Sequence, residues 1–150
     1  MAAQKRRSKA GDILRVTVEG GAVYLQYLGK HPEYGDTIRV LPGDSLQESP
    51  KEFATTGYVA FYPVTASVAQ GLVAVVGHRN TNLSIPPKLR RPGARGKDGT
   101  VLAWIIEEDG REWLTKGLSA DERALPIAVI WNHEMLCTRL RDGWRPDREE

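Results

Sequence analysis

The feature that most constrains the fold is a strict period of two that begins directly after Gly11-Asp12. Leu14, Val16 and Val18 fall on one side of an extended chain; Ile13, Arg15 and Thr17 fall on the other. Glu19-Gly20-Gly21 interrupts the run, and glycine accepts the positive φ that a tight turn needs. Alternation then resumes, with Val23, Leu25 and Tyr27 facing one way and Tyr24 and Gln26 the other. Two alternating runs joined by a glycine turn predict an antiparallel hairpin. A lone hairpin is barely stable in water, so this one must pair with further strands or pack on helices.

The rest of the chain supplies them. Residues 37–41 read as a third strand closed by Pro42-Gly43, and residues 58–62 as a fourth stopped by Pro63. Residues 65–70 fit one helical turn and residues 72–76 a short apolar strand. Residues 101–106 and 111–115 flank Asp109-Gly110, a dipeptide that favours the type I′ hairpin turn. That register sets Ile106 opposite Trp113 and Trp104 opposite Thr115, on a face expected to be core. Ser119-Ala120-Asp121-Glu122 matches a capping box, and Pro126 ends that helix. Asn132 caps a second helix, from His133 to about Arg141, closed by Asp142-Gly143. Trp131, Met135, Leu136 and Leu140 form its apolar stripe.

The expected fold class is therefore α+β: a mainly antiparallel, strongly bent sheet or partly closed SH3-like barrel, with one or two short C-terminal helices. Many short strands favour curvature because their edges must be hidden. The expected organisation is a disordered basic tail at 1–10, a single β-rich domain at 11–145 and a disordered tail at 146–150. A long basic loop at 77–99, marked by Pro86-Pro87, Pro92-Gly93 and Gly96, interrupts the domain. A length of 150 residues suits one such domain without a disulfide or metal to staple it.

Cys137 is the only cysteine, so no internal disulfide can form, which favours a reducing, cytoplasmic setting. No apolar run approaches the ~18 residues of a membrane span, so no membrane association is expected. The basic N-terminus leads straight into a strand and not into the apolar segment of a signal peptide.

The net charge of +2 conceals an uneven distribution. Lys5, Arg6, Arg7 and Lys9 sit in the tail; Arg79, Lys88, Arg90, Arg91, Arg95 and Lys97 sit in residues 79–98 with a single acid, Asp98. Outside those two segments remain 11 basic and 18 acidic residues. The expected picture is an acidic body with two basic appendages, and such a field steers association with charged partners.

Motifs for chemistry are sparse. Cys137 lies four residues after His133 on one helix face, but a zinc site needs three or four protein ligands, so no metal is expected. A mid-helix cysteine also lacks the positive surroundings that activate a nucleophilic thiol. No Gly-x-Ser-x-Gly elbow or phosphate-cradling glycine loop is present. No cofactor and no catalytic residues are therefore expected. Two surface readings remain. Arg90, Arg91 and Arg95 on the basic loop, with nearby tyrosines for stacking, are the candidate nucleic-acid contacts. Lys30-His31-Pro32-Glu33-Tyr34-Gly35 gathers an ammonium, an imidazole, a carboxylate and a phenol beside the first hairpin. Such a cluster reads first as a loop satisfying its own hydrogen bonds and second as a recognition edge. Antiparallel pairing of the second and third strands would bring Gln26 beside Arg39. The candidate partner-binding set is therefore Gln26, Lys30, His31, Glu33, Tyr34 and Arg39. A third possibility is a small enzyme site at His31, Tyr34 and Arg39.

Gly11-Asp12-Ile13-Leu14, Val16, the glycine turn and Ala22-Val23-Tyr24-Leu25-Gln26-Tyr27 together resemble the opening of the immunity protein 26 family. These are bacterial antidotes found beside polymorphic toxins, and the resemblance covers residues 11–41. It implies a cytoplasmic, non-enzymatic protein that neutralises a cognate toxin by covering its surface. An acidic body suits a basic toxin domain as the protein partner.

Overall fold

The computed structural model describes residues 7–43, 45–53, 57–81 and 83–148. The fold is α+β, with eight strands in two antiparallel sheets and a few short helices. Neither sheet closes into a barrel among the described residues. The expected tail at 1–10 lies outside the described residues up to position 6. From Lys9 the chain is already fixed, because the Asp12 N–H donates to the Lys9 carbonyl at 3.0 Å.

Where one domain was expected, the chain packs as two compact units. One holds the described residues up to Ile85 together with Ile130–Gly143; the other holds Pro86–Val129 and the described residues from Trp144 onward.

The first unit is built on a five-stranded sheet. Its strands are β1 (Asp12–Val18), β2 (Gly21–His31), β3 (Gly35–Val40), β4 (Tyr58–Phe61) and β5 (Ala74–His78), in the order β4-β3-β2-β1-β5. The opening hairpin forms in the expected register, with Leu14 opposite Leu25 and Val16 opposite Val23. Leu14, Val16, Leu25, Ile38 and Ala60 bury one face. The other face buries Ile13 in a cluster with Leu41 and Phe53, flanked by Tyr24 and Leu46. Phe53 comes from a short helix, α1 (Pro50–Phe53), so that part of the sheet is covered on both sides. A second short helix, α2 (Val64–Ala69), follows β4.

The second unit carries β6 (Lys88–Pro92), β7 (Trp104–Glu108) and β8 (Arg111–Thr115) in that order. The Asp109-Gly110 hairpin has the expected register, with Ile106 opposite Trp113 and Trp104 opposite Thr115. Trp104 and Ile106 are core, whereas Trp113 is 38% exposed. The capping box opens α3 (Ala120–Arg123) as expected: Ser119 Oγ accepts from the Glu122 N–H, and Glu122 answers the Ser119 N–H. The final helix, α4 (His133–Asp142), belongs to the first unit, where it packs against β1. It starts on the Asn132 side chain and ends on Gly143 in the left-handed region.

Two expectations need correction. The span 77–99 is not one long loop, because β5 reaches His78 and β6 occupies Lys88–Pro92. Residues 146–148 are not a loose tail but a turn of 3-10 helix with Pro146 buried. The order of β6 and of the 146–148 turn traces to Arg90. Its guanidinium stacks 4.1 Å over the Trp104 ring and donates to the carbonyls of Arg123 and Pro146. An arginine with its charge screened by an indole and main-chain carbonyls behaves as a core residue, which composition cannot show.

Candidate functional site

The candidate partner-binding residues all lie on β2, β3 and their connection. Their arrangement is set by one irregularity. Tyr27 pairs with Ile38 but Gly29 pairs with Thr37, so Leu28 is an extra residue in β2. A bulge of this kind reverses the side-chain alternation beyond it. Lys30, opposite Asp36, joins the face of Tyr27, and His31, opposite Gly35, joins the face of Gln26, Arg39 and Phe61.

At the tip, three rings pack together. His31 and Tyr34 have centroids 5.0 Å apart, and the Phe61 ring lies 5.5 Å from His31 and 5.1 Å from Tyr34. His31 Nδ1 accepts the main-chain N–H groups of Glu33 at 3.1 Å and Tyr34 at 3.3 Å. The imidazole thus folds its own turn while its ring lies against fully buried Phe61. Phe61 is also bridged in parallel to Ile130, whose side chain is 56% exposed. Glu33 is exposed in the same turn as the rings, whereas Lys30, exposed on the opposite face, has its Nζ 3.9 Å from Asp36 Oδ1. The tip therefore presents half-buried rings, an exposed aliphatic residue and the exposed Glu33 carboxylate.

Asp36, which sequence reasoning passed over, holds the base of this tip. Its Oδ1 accepts the Tyr27 hydroxyl at 2.7 Å, and its Oδ2 accepts the N–H groups of Val64 at 2.9 Å and Thr65 at 3.2 Å. A carboxylate on the first free N–H groups of α2 caps that helix from another strand. Burial and the adjacent Asp36 carboxylate both push the Tyr27 phenol well above the ordinary tyrosine range.

Gln26 and Arg39 are directly opposite one another, as expected, but both are buried. Gln26 Nε2 donates to the Arg79 carbonyl at 2.9 Å, and Arg39 Nη1 donates to the Phe53 carbonyl at 3.3 Å. Burial lowers the Arg39 pKa from its usual value. Arg39 ties α1 to the sheet, Gln26 ties down the segment that follows β5, and neither offers a surface to a partner. Arg39 also lies four positions along β3 from Gly35, about 13 Å at 3.3 Å per residue. The structure thus brings His31 and Tyr34 together and leaves Arg39 apart from them.

The candidate nucleic-acid residues are dispersed in role. Arg90 is buried. Arg91 donates from Nε to Glu107 at 2.6 Å and from Nη2 to both Glu112 oxygens at 3.0 Å. Both carboxylates raise its pKa. Arg95 is exposed and donates to the Gly99 carbonyl at 2.9 Å. Arg79 is likewise part of the body: it lies 4.4 Å over the Phe53 ring and donates to the carbonyls of Glu48 and Leu46.

Cys137 Sγ lies 3.3 Å from His133 Nε2, and His133 Nδ1 lies 2.8 Å from the buried Tyr62 hydroxyl. Burial raises the Cys137 and Tyr62 pKa values, so the thiol is held protonated and not activated. No three His, Cys, Asp or Glu side chains gather into a metal-binding group among the described residues. No described helix is long and apolar enough to cross a membrane.

Comparison with family models, with curated proteins and with solved structures finds no match.

Proposed function

We propose that this chain is a non-enzymatic binding protein of the immunity type, acting in the cytoplasm to neutralise a cognate toxin by occluding its surface. The observation that carries the reading is the prebuilt tip between β2 and β3. His31, edge-on, and Tyr34, tilted, are packed against Phe61 before any partner arrives, beside exposed Ile130. Rings already held in place lose little freedom on binding, and aromatic anchors of this kind dominate interface energies. Glu33 supplies a polar rim.

Charge gives secondary support. Arg79, Lys88, Arg90 and Arg91 belong to the folded body, which then counts 15 basic against 18 acidic residues. A net acidic body speeds capture of a basic partner. The likeness of residues 11–41 to immunity protein 26 points the same way.

The nucleic-acid reading loses its main support, because phosphate contacts need exposed, uncommitted cations. Arg90 is buried and Arg91 is saturated by two carboxylates. The enzyme reading needs His31 and Arg39 at one point, and the strand register separates them.

The test is co-expression with the product of the adjacent gene, as the proposed toxin. Wild type should restore growth and co-purify with the toxin, whereas a His31→Ala, Tyr34→Ala double variant should do neither. Growth that stays arrested with wild type, together with no co-purification, sinks the proposal.

A further inference from the structure

The two sheets have four edges, and they are not equally protected. β4 carries the bridge to Ile130, and β6 carries a parallel bridge between Arg90 and Ile127. β5 pairs with β1 through a register shift at Ile13/Leu14, a bulge that blunts an edge. β8 pairs with β7 in unbroken register, and Arg111–Leu114 are all exposed. Leu114, in the middle of its outer row, is 69% exposed, the highest value among the large hydrophobic residues described.

Which groups point outward follows from the hairpin. Glu108 and Arg111 flank the two-residue turn and pair directly. In such a turn the flanking pair exchanges hydrogen bonds, and alternate residues thereafter do the same. Arg111, Trp113 and Thr115 therefore direct their main-chain groups at β7. Glu112 and Leu114 direct theirs to the open edge, and Lys116 stands in the bend just beyond the strand.

We propose that this edge pairs antiparallel with the same edge of a second copy, with Leu114 opposite Leu114 on the two-fold axis. The outward main-chain groups of Leu114 meet their own copies, and Glu112 lies opposite the bend at Lys116 of the second copy. The side chains fit the same register. Ile105 stands beside Leu114 on β7, so an apolar row runs unbroken across the axis. Glu107 and Glu112 share the single guanidinium of Arg91, which leaves one negative charge at that position. Lys116, exposed, is delivered opposite Glu112 in each half of the pair. The contact is isologous and closes on itself. It also joins two three-stranded sheets into one.

Edge pairing alone buries a small area, so association should be weak, with a Kd in the range of about 10 µM to 1 mM. Sedimentation velocity across that range tests it. Wild type should pass from monomer to dimer as concentration rises, and less so at high salt. Leu114→Lys places two ammonium groups on the axis, and Lys116→Glu places carboxylates opposite Glu112. Each should weaken the dimer about tenfold or more. Both residues are exposed, so circular dichroism and thermal unfolding should match wild type. A wild type that stays monomeric to about 1 mM overturns the proposal. So does a dimer that survives both variants, and so does one lost only on Val75→Lys, which would place the contact at β5.

Discussion

At the scale of single residues, the entry to the first strand shows how one position can require glycine. Gly11 sits at φ 101°, and a Cβ there would lie 2.6 Å from His78 Cε1. Its N–H donates to the Tyr27 carbonyl at 2.8 Å, and its own carbonyl accepts the Arg79 N–H at 2.8 Å. Next to it, Asp12 Oδ1 lies 2.9 Å from His78 Nδ1. The Gly-Asp pair thus clamps β5 against β1, a structural role. Gly11→Ala should cost about 1–3 kcal/mol through backbone strain and the clash with His78, read as a lower urea midpoint. An unchanged midpoint would contradict it, since the strain at φ 101° persists even if His78 moves aside. Cys137 offers a pH test. Burial raises its pKa, so at any pH below that value its thiolate fraction is smaller than that of an ordinary thiol. Its alkylation rate should therefore rise with a midpoint above that of a free cysteine; a midpoint below it would show an activated thiol.

At the scale of elements, the hairpins and helix ends were legible because their signals are local. Gly20-Gly21 and Asp109-Gly110 fix turns, and Ser119 and Asn132 supply caps through their own side chains. The register beyond Leu28 was not legible: Tyr27-Leu28 breaks the alternation and Gly29 inside the strand marks a bulge, but which faces reverse depends on β3. Nor was β6, whose prolines and arginines read as loop until Trp104 and the Pro146 carbonyl are placed around Arg90. The burial of Gln26 and Arg39 was hidden for the same reason: Gln26 is held by the segment after β5 and Arg39 by α1, both distant in sequence. Arg90→Ala should destabilise by about 2–4 kcal/mol, because it strands two buried carbonyls and removes the stack on Trp104. Arg95→Ala, at an exposed site, should stay within about 0.5 kcal/mol of wild type. Thermal unfolding distinguishes the two, and equal effects would contradict the roles assigned here. Asp36→Ala should cost about 1–3 kcal/mol by leaving the first N–H groups of α2 uncapped, measurable as accelerated amide exchange at Val64 and Thr65.

For the whole molecule, the account rests on one division of labour. Buried polar groups such as Arg39, Arg90 and Asp36 fix the fold, while the ring cluster at the β2–β3 tip is left at the surface. Of the six residues first assigned to partner binding, Gln26 and Arg39 belong to the interior, Lys30 lies on the opposite face, and His31, Glu33 and Tyr34 remain. Ile130 joins them through its bridge to Phe61, a contact that spans 69 positions of sequence and left no trace in local pattern. The most direct test of the central claim is calorimetric titration of the purified toxin domain with this chain and its Tyr34→Ala variant. The account predicts tight binding by wild type and a loss of about 2 kcal/mol or more, roughly thirtyfold in Kd, in a variant whose unfolding midpoint is little changed. Equal affinities for the two proteins, or no heat of binding from either, would contradict it.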